Sequence, residues 1–223
     1  MRFTDDLDCH ANKESMWSGQ YVEMRDDFYG LRDFYRRRGA GNVKSFVDVG
    51  SNVGYSSVLA TCLFPHAKRL AIEPGVVTFS MLSENLNGMG VTCVNMAIGN
   101  GRGAVLVSDP RMLSADKYEV LSGGEIPTKR LSTVLRDNKV PVEGMVLKVD
   151  CEGAEMWMTD DDELLPWMNG CVYFAAEFHQ QKDESKTIWD AWLDKCFKGV
   201  PRKEVLLGRD LNGLLFLYVV ERM

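Results

Sequence analysis

Residues 46–55 read FVDVGSNVGY, and the break in this stretch decides the fold. Phe46, Val47 and Val49, with Val43 just before them, are the β-branched and aromatic residues of a central strand. The pattern stops at Gly50 and Gly54, and Val58, Leu59, Ala60 and Leu63 then recur at helical spacing until Pro65. Strand, glycine loop and helix together place backbone N–H groups against a nucleotide-like ligand. The rest of the chain gives that reading its weight.

From Val43 onward the signals alternate. SFVDV (45–49) and KRLAIE (68–73) read as strands, with a helix over Tyr55–Leu63 between them. Pro74 is placed to open the next helix, carried by Phe79, Leu82 and Leu86 and ended by Gly88. VTCVNMAI (91–98) reads as one strand, GNGRG as a turn, GAVLVS (103–108) as a further strand, and SGG (122–124) as a flexible tip. MVLKVD (145–150) and CVYFAAEF (171–178) are strands flanking a helical stretch from Gly153 to Trp167. Ile188, Trp189, Trp192, Leu193 and Cys196 share one helix face, with Asp183 as the expected N-cap. KEVLLG (203–208) and LLFLYVV (214–220) are too close for a crossover helix and form an antiparallel hairpin. The prediction is an α/β Rossmann-like domain over 43–223. It has about seven strands, mostly parallel, with a C-terminal antiparallel hairpin and helices on both faces. Residues 1–42 read as an N-terminal helical extension, helical from about Met16 to Arg38 and aromatic enough to pack on the body or fold over a site.

Composition narrows the function classes. The chain has 223 residues, 45% hydrophobic and 26% charged, an ordinary globular balance. Its formal net charge of −6 argues against a general phosphate-binding surface, and nucleic acid is not the expected partner. Arg36, Arg37 and Arg38 read as a solvated helix end suited to the C-terminal dipole. No apolar run is long enough to span a bilayer and MRFTDDLDCH is too acidic for a signal peptide, so a cytoplasmic location is expected. The six cysteines form no CxxC pair and the three histidines do not cluster with them, so no zinc site is assigned.

In such sheets the ligand lies at the carboxyl ends of the strands. Asp48, Gly50, Ser51, Asn52, Gly54 and Tyr55 fall at or just after the first strand. There glycine permits close backbone approach, and a carboxylate can hold an ammonium group directly or through water. Glu73 ends the second strand, at roughly the 20-residue spacing of an acid that binds ribose hydroxyls. Asp150, with Glu152 and Glu155 close behind, ends a later strand. Three carboxylates so close together are solvated, bind a cation, or face a positively charged ligand. Glu177 and His179 end the next strand, beside Asp150.

DVGSNVGYSS, AIEPGVVTFSMLSENLNGMG, VNMAIGNGRG, IPTKRLSTVL, LKVDCEGAE and AAEFH, in this order and spacing, resemble the FkbM-type S-adenosylmethionine-dependent methyltransferases. The resemblance runs from about Val43 to His179, and LKVDCEGAE is its most distinctive stretch. It implies a class I methyltransferase that methylates an oxygen of a small molecule, sugar or lipid-linked group. Asp48, Gly50, Asn52 and Gly54 would hold the methionine part of S-adenosylmethionine, Glu73 the ribose, and Pro74 would open the helix beneath. Ala97 and Ile98 would lie along the adenine. Asp150 would face the methionine amino group or the acceptor, and Glu177 and His179 would border the acceptor pocket. His179 oriented by Glu177, or else Asp150, is the expected general base. A divalent metal shared by Asp150 and Glu177 lacks a third ligand in the sequence, and none is assigned.

Three other readings share parts of this pattern. A nicotinamide dehydrogenase would use the tighter GxGxxG. An RNA ribose 2'-O-methyltransferase would use a Lys-Asp-Lys-Glu set, which Asp150 and Lys182 could begin. A non-catalytic methyltransferase-like scaffold would keep the fold alone.

Overall fold

The computed structural model describes residues 26–101, 105–107, 117–119, 126–180, 182–210 and 213–222. Its centre is the strand of the quoted stretch, β1 (Ser45–Val49), every residue of which is buried. β1 pairs in parallel with β2 (Lys68–Ile72) on one side and, on the other, with a strand nearly a hundred residues later, Met145–Val149. The glycine loop, Tyr55–Leu63 (α2) and β2 follow as predicted. α3 spans Val76–Asn85 with Gly75 as its N-cap, so Pro74 lies before the helix rather than opening it.

The stretch 91–98 is broken, not one strand. β3 (Val91–Val94) joins β2, whereas β4 (Ala97–Ile98) pairs in parallel with β7 (Thr128–Lys129) in a separate two-stranded sheet. Asn95 sits at the break because its side-chain amide donates to the carbonyls of Glu73 and Pro74, both at 2.9 Å, competing with the strand ladder. β5 (Val105–Val107) pairs with β6 (Lys117–Glu119) in another two-stranded sheet and does not join the main one. The tip predicted at 122–124 lies outside the described residues.

After β7 come α4 (Leu131–Asp137) and β8 (Met145–Val149). The helix expected over 153–167 is instead two 3-10 turns, Ala154–Met158 and Asp162–Leu164, and a short helix α5 (Leu165–Gly170). Left-handed backbone at Glu152 and Gly153 precludes a helical start there. The Asp161 carboxylate is drawn away to the backbone and hydroxyl of Ser132. β9 (Cys171–Gln180), α6 (Asp183–Cys196), β10 (Arg202–Asp210) and β11 (Gly213–Glu221) complete the chain, with Lys182 rather than Asp183 at the N-cap of α6.

The sheet order is β10-β11-β9-β8-β1-β2-β3. β11 lies between β9 and β10 and is antiparallel to both, so the predicted hairpin is present with its second strand inserted. The order reverses between β1 and β8, which creates a crevice at their carboxyl ends. One apolar cluster centres on Leu147, Phe174 and Trp189 and another on Phe46, Phe64 and Tyr173, on opposite faces of the sheet. No described helix is long and apolar enough to cross a membrane.

Of the N-terminal extension, residues 26–29 form a turn and Leu31–Arg38 a helix, α1. The predicted helix over 16–25 falls outside the described residues. α1 begins only at Leu31 because the Asp27 carboxylate accepts the backbone N–H groups of Arg32 and Asp33, at 2.8 and 2.9 Å. Phe34 packs on Tyr173 with ring centroids 4.6 Å apart, and the Tyr173 hydroxyl donates to the Tyr29 carbonyl at 2.7 Å. Arg37 and Arg38, read as solvated, both pair with Glu221 at the end of β11.

Candidate functional site at the strand carboxyl ends

The loop after β1 is moulded by backbone, not by large side chains. Gly50 has φ +73°, and a Cβ there would lie 1.6 Å from the Asp150 carbonyl oxygen. Only glycine lets β1 and β8 close at this point. Asn52 (φ +48°) and Gly54 (φ +98°) also take left-handed backbone. Ser51, 5% exposed, donates to the Asp48 carbonyl at 2.8 Å and accepts the Ile72 N–H at 3.0 Å, so its side chain ties the loop to β2. Tyr55 is buried in the core with Phe46 and Val53. The Asn52 side-chain oxygen is buried and has no hydrogen-bond partner among the described residues.

Glu73 clamps this loop to the start of α3. One carboxylate oxygen accepts the Gly75 N–H and the Thr78 hydroxyl, at 2.9 and 2.8 Å, and the other accepts the Asn52 N–H at 2.9 Å. Burial pushes its carboxyl up, and these three donors oppose that rise by favouring the ionised, acceptor-only form.

Asp48 does not reach a ligand surface. It is fully buried, accepts the Ser57 hydroxyl at 2.7 Å and lies 3.3 Å from the Lys148 ammonium. The direct ammonium contact expected of it is therefore corrected: Asp48 holds Lys148. Lys148 also donates to the Gly50 carbonyl at 2.9 Å and lies 3.7 Å from Asp150. Burial pushes this ammonium down, but Asp48, Asp150 and Glu177 outweigh it and hold the group well above its usual value. Lys148 was missed in the sequence reading, although a lysine inside the apolar strand MVLKV is a signal in itself, since it must be paired to be buried.

Tyr29 is the second residue missed. Its hydroxyl lies 3.0 Å from both Asp150 and Glu177, and its ring covers the Lys148 ammonium at 5.1 Å from the centroid. One hydroxyl hydrogen thus faces two carboxylates. The turn before α1 brings part of the extension into the site.

His179 is held differently from expectation. Its Nδ1 lies 3.2 Å from Glu155, its Nε2 lies 3.4 Å from Glu152, and its backbone N–H donates to Glu155 at 2.6 Å. Glu177 accepts from the Tyr29 hydroxyl, and the carboxylate that lies against both the ring and the backbone N–H of His179 is Glu155. Burial pushes the imidazole down, but Glu155, Glu152 and Asp150 bring it up to about 10. Held there, the imidazole carries a proton at neutral pH. The Cys151 thiol is pushed well above its usual value by burial and by Glu155, which leaves it unreactive.

Ala97 and Ile98 are each only 3% exposed and pack inward. The next residues, Gly99 and Asn100, line a cavity of about 320 Å³ together with Arg130, Trp157 and Asp160. Pro74 is half-buried and leads into Gly75.

Comparison with known proteins follows this geometry. No family model matches the chain. Methyltransferase sdnD from Sordaria araneosa is 29% identical across a match covering 49% of this chain and 57% of that protein. The chain thus spans little more than half the length of that curated relative. Among solved structures, methyltransferase FkbM from Methylobacillus flagellatus KT superposes with a TM-score of 0.50 and 13% identity, covering 79% of this chain and 43% of that one. The METTL16 MTase domain gives a TM-score of 0.51 at 13% identity, over 90% and 68% of the two chains. A putative O-methyltransferase from Klebsiella pneumoniae gives 0.50 at 10% identity, over 96% and 85%. At these identities the likeness establishes the architecture: the chain has the Rossmann-like methyltransferase fold.

Proposed function

We propose that the chain is an S-adenosylmethionine-dependent methyltransferase acting on an oxygen of a small-molecule, sugar or lipid-linked acceptor. The observation that carries this is the crevice at the β1–β8 reversal, where a glycine loop and Glu73 stand beside Asp150, Glu152 and Glu177. S-adenosylmethionine brings a methyl group already activated on a positively charged sulfur and an ammonium group, and such a ligand suits a crevice rich in carboxylates. The chain's residues fit it. The buried Asn52 side-chain oxygen has no hydrogen-bond partner among the described residues, as expected of an atom that accepts from a bound ligand. The Glu73 oxygen that accepts from Asn52 retains lone-pair capacity for a ribose hydroxyl.

For the acceptor, the chain must align a nucleophile and remove its proton. Asp150, partly exposed and steadied by Tyr29 and Lys148, is the group we assign as base. Protonated His179 serves as a fixed positive charge between Glu152 and Glu155. An Asp150→Asn variant should keep cofactor affinity while turnover falls by ~10²–10⁴-fold.

The test is calorimetric titration with S-adenosylmethionine, S-adenosylhomocysteine and NAD. Both adenosyl ligands should bind, NAD should not, and a Glu73→Gln variant should weaken binding by at least about tenfold. Thermal unfolding is followed in parallel, because Glu73 also holds Asn52 and Gly75. Failure of both adenosyl ligands to bind the folded protein overturns the reading. Binding of RNA that falls steeply with salt would move the acceptor to nucleic acid.

A further inference from the structure

The three carboxylates of DCEGAE and the histidine of EFH converge at one point. Ligating atoms of Asp150, Glu152 and His179 all lie within 4.8 Å of one another. His179 Nε2 and the Glu152 carboxylate are 3.4 Å apart. Two ligands bound at 2.0–2.2 Å to one ion lie about 3.3–3.6 Å apart at a tetrahedral angle. That pair is already at ligand spacing, and Asp150 completes the set by a small rotation.

A cluster of carboxylates alone would not identify a site; the imidazole does. His179 is 3% exposed and its ring faces the two partly exposed carboxylates. Its other nitrogen, Nδ1, lies against Glu155, which is fully buried. Glu155 is itself held, since one oxygen accepts the His179 backbone N–H and the other accepts the Gly153 N–H at 2.9 Å. Metal binding would release the Nε2 proton, and the buried carboxylate that accepts the remaining Nδ1–H then fixes the tautomer whose Nε2 lone pair faces the ion. That is the arrangement by which proteins orient metal-binding histidines. The left-handed backbone at Glu152 (φ +55°) turns its side chain back toward the same point.

The geometry points to a divalent transition-metal site formed by Asp150, Glu152 and His179, with Glu155 as the positioning residue. One imidazole and two carboxylates suit Mn²⁺, Fe²⁺ or Zn²⁺ better than Ca²⁺ or Mg²⁺, which prefer oxygen alone. Three protein ligands leave a coordination position open toward the crevice. If the methyltransferase reading holds, Asp150 binds the ion through one oxygen and keeps the other as the base, and an oxygen of the acceptor takes the open position, which would narrow the acceptor to a molecule with a metal-binding oxygen. The pairing of Asp150 with Glu177 considered from sequence is replaced, because Glu177 is not part of this group of ligating atoms.

The experiment is a titration of chelator-treated protein with Mn²⁺, followed by the loss of the free-ion electron paramagnetic resonance signal, with Zn²⁺ as competitor. One Mn²⁺ per chain should bind and be displaced by Zn²⁺. Glu152→Gln, at a partly exposed position that should not impair folding, should weaken binding by at least about tenfold. Glu155→Gln should weaken it by roughly 10–100-fold through the orientation of His179. Circular dichroism establishes that each variant is folded. Absence of Mn²⁺ and Zn²⁺ binding by the folded wild-type chain, or equal binding by Glu152→Gln, overturns the site. S-adenosylhomocysteine titrated into the same metal-free protein separates the two ideas. Its binding without metal binding rejects the metal site alone, and metal binding without it rejects the methyltransferase reading alone.

Discussion

The Lys148 ammonium on β8 stands 3.3 Å from the Asp48 carboxylate on β1, and both side chains are buried at the centre of the sheet. This pair lies directly beneath the glycine loop, because the same ammonium donates to the Gly50 carbonyl. The charges of the site are therefore built on an ion pair inside the fold, and changing it acts on stability and on the loop together.

Lys148→Met keeps the aliphatic stem and removes the charge, leaving Asp48 buried without its counter-ion. We expect a loss of ~3–5 kcal/mol in urea unfolding. The double variant Lys148→Met/Asp48→Asn, which buries no charge at either position, should recover a good part of that loss. A double variant as unstable as the sum of the singles would show that the two residues are not coupled.

Gly50 and Gly88 share φ +73° but differ in surroundings. Among the described residues nothing lies within 4 Å of a Cβ at Gly88, whereas at Gly50 it would meet the Asp150 backbone. Gly88→Ala should cost only the left-handed backbone penalty, ~1–2 kcal/mol. Gly50→Ala should cost clearly more, because β1 and β8 must separate at the site. Equal midpoints in thermal unfolding would remove the close approach as the reason for glycine at position 50.

The sequence carried the fold well wherever local pattern and tertiary role agreed. β1 and α2 lie where FVDVGSNVGY and its helical sequel put them. It misled where a side chain outside the local pattern took over the backbone. Asn95 breaks the strand read through 91–98, and the left-handed Glu152 and Gly153 deny the helix read from 153. In the site, residue types at the strand ends were legible, but partnerships across strands were not. Whether His179 faces Glu177 or Glu155 depends on how the turn after β8 folds back onto β9. That contact spans 24 residues and no periodicity records it. Lys148 shows the opposite case, a signal present in one strand but interpretable only beside its neighbour.

Glu221 joins the last strand to α1 and sets a pH dependence. Burial raises its carboxyl, but the hydrogen bonds from Arg38 and Arg37 outweigh this and hold it below the usual glutamate range. A carboxyl depressed in the folded state contributes stability above its unfolded pKa and loses it as pH falls through the folded value. The guanidinium groups are well exposed, so the effect is modest, about 0.5–1 kcal/mol near pH 7. Glu221→Gln should be less stable than wild type by that amount at low salt. The difference should disappear as pH falls through the depressed folded value and shrink in about 1 M salt. A difference that persists under acid would mean that the variant acts through packing rather than charge.

Tyr29 separates the structural and chemical contributions of the N-terminal segment. Its ring is 5% exposed and covers Lys148, so Tyr29→Ala should cost ~3–5 kcal/mol in unfolding experiments. Tyr29→Phe keeps the ring and removes only the hydroxyl that lies 3.0 Å from Asp150 and from Glu177. The two carboxylates then lose a common donor, at a cost of about 1–2 kcal/mol, and Asp150 is no longer steadied from that side. With Asp150 as the base, turnover in Tyr29→Phe should fall by roughly tenfold, while the affinity for S-adenosylhomocysteine stays within about twofold of wild type. A parallel loss of affinity would assign the hydroxyl to the cofactor seat. Unchanged turnover would leave Tyr29 as packing over Lys148 and remove the extension from the chemistry.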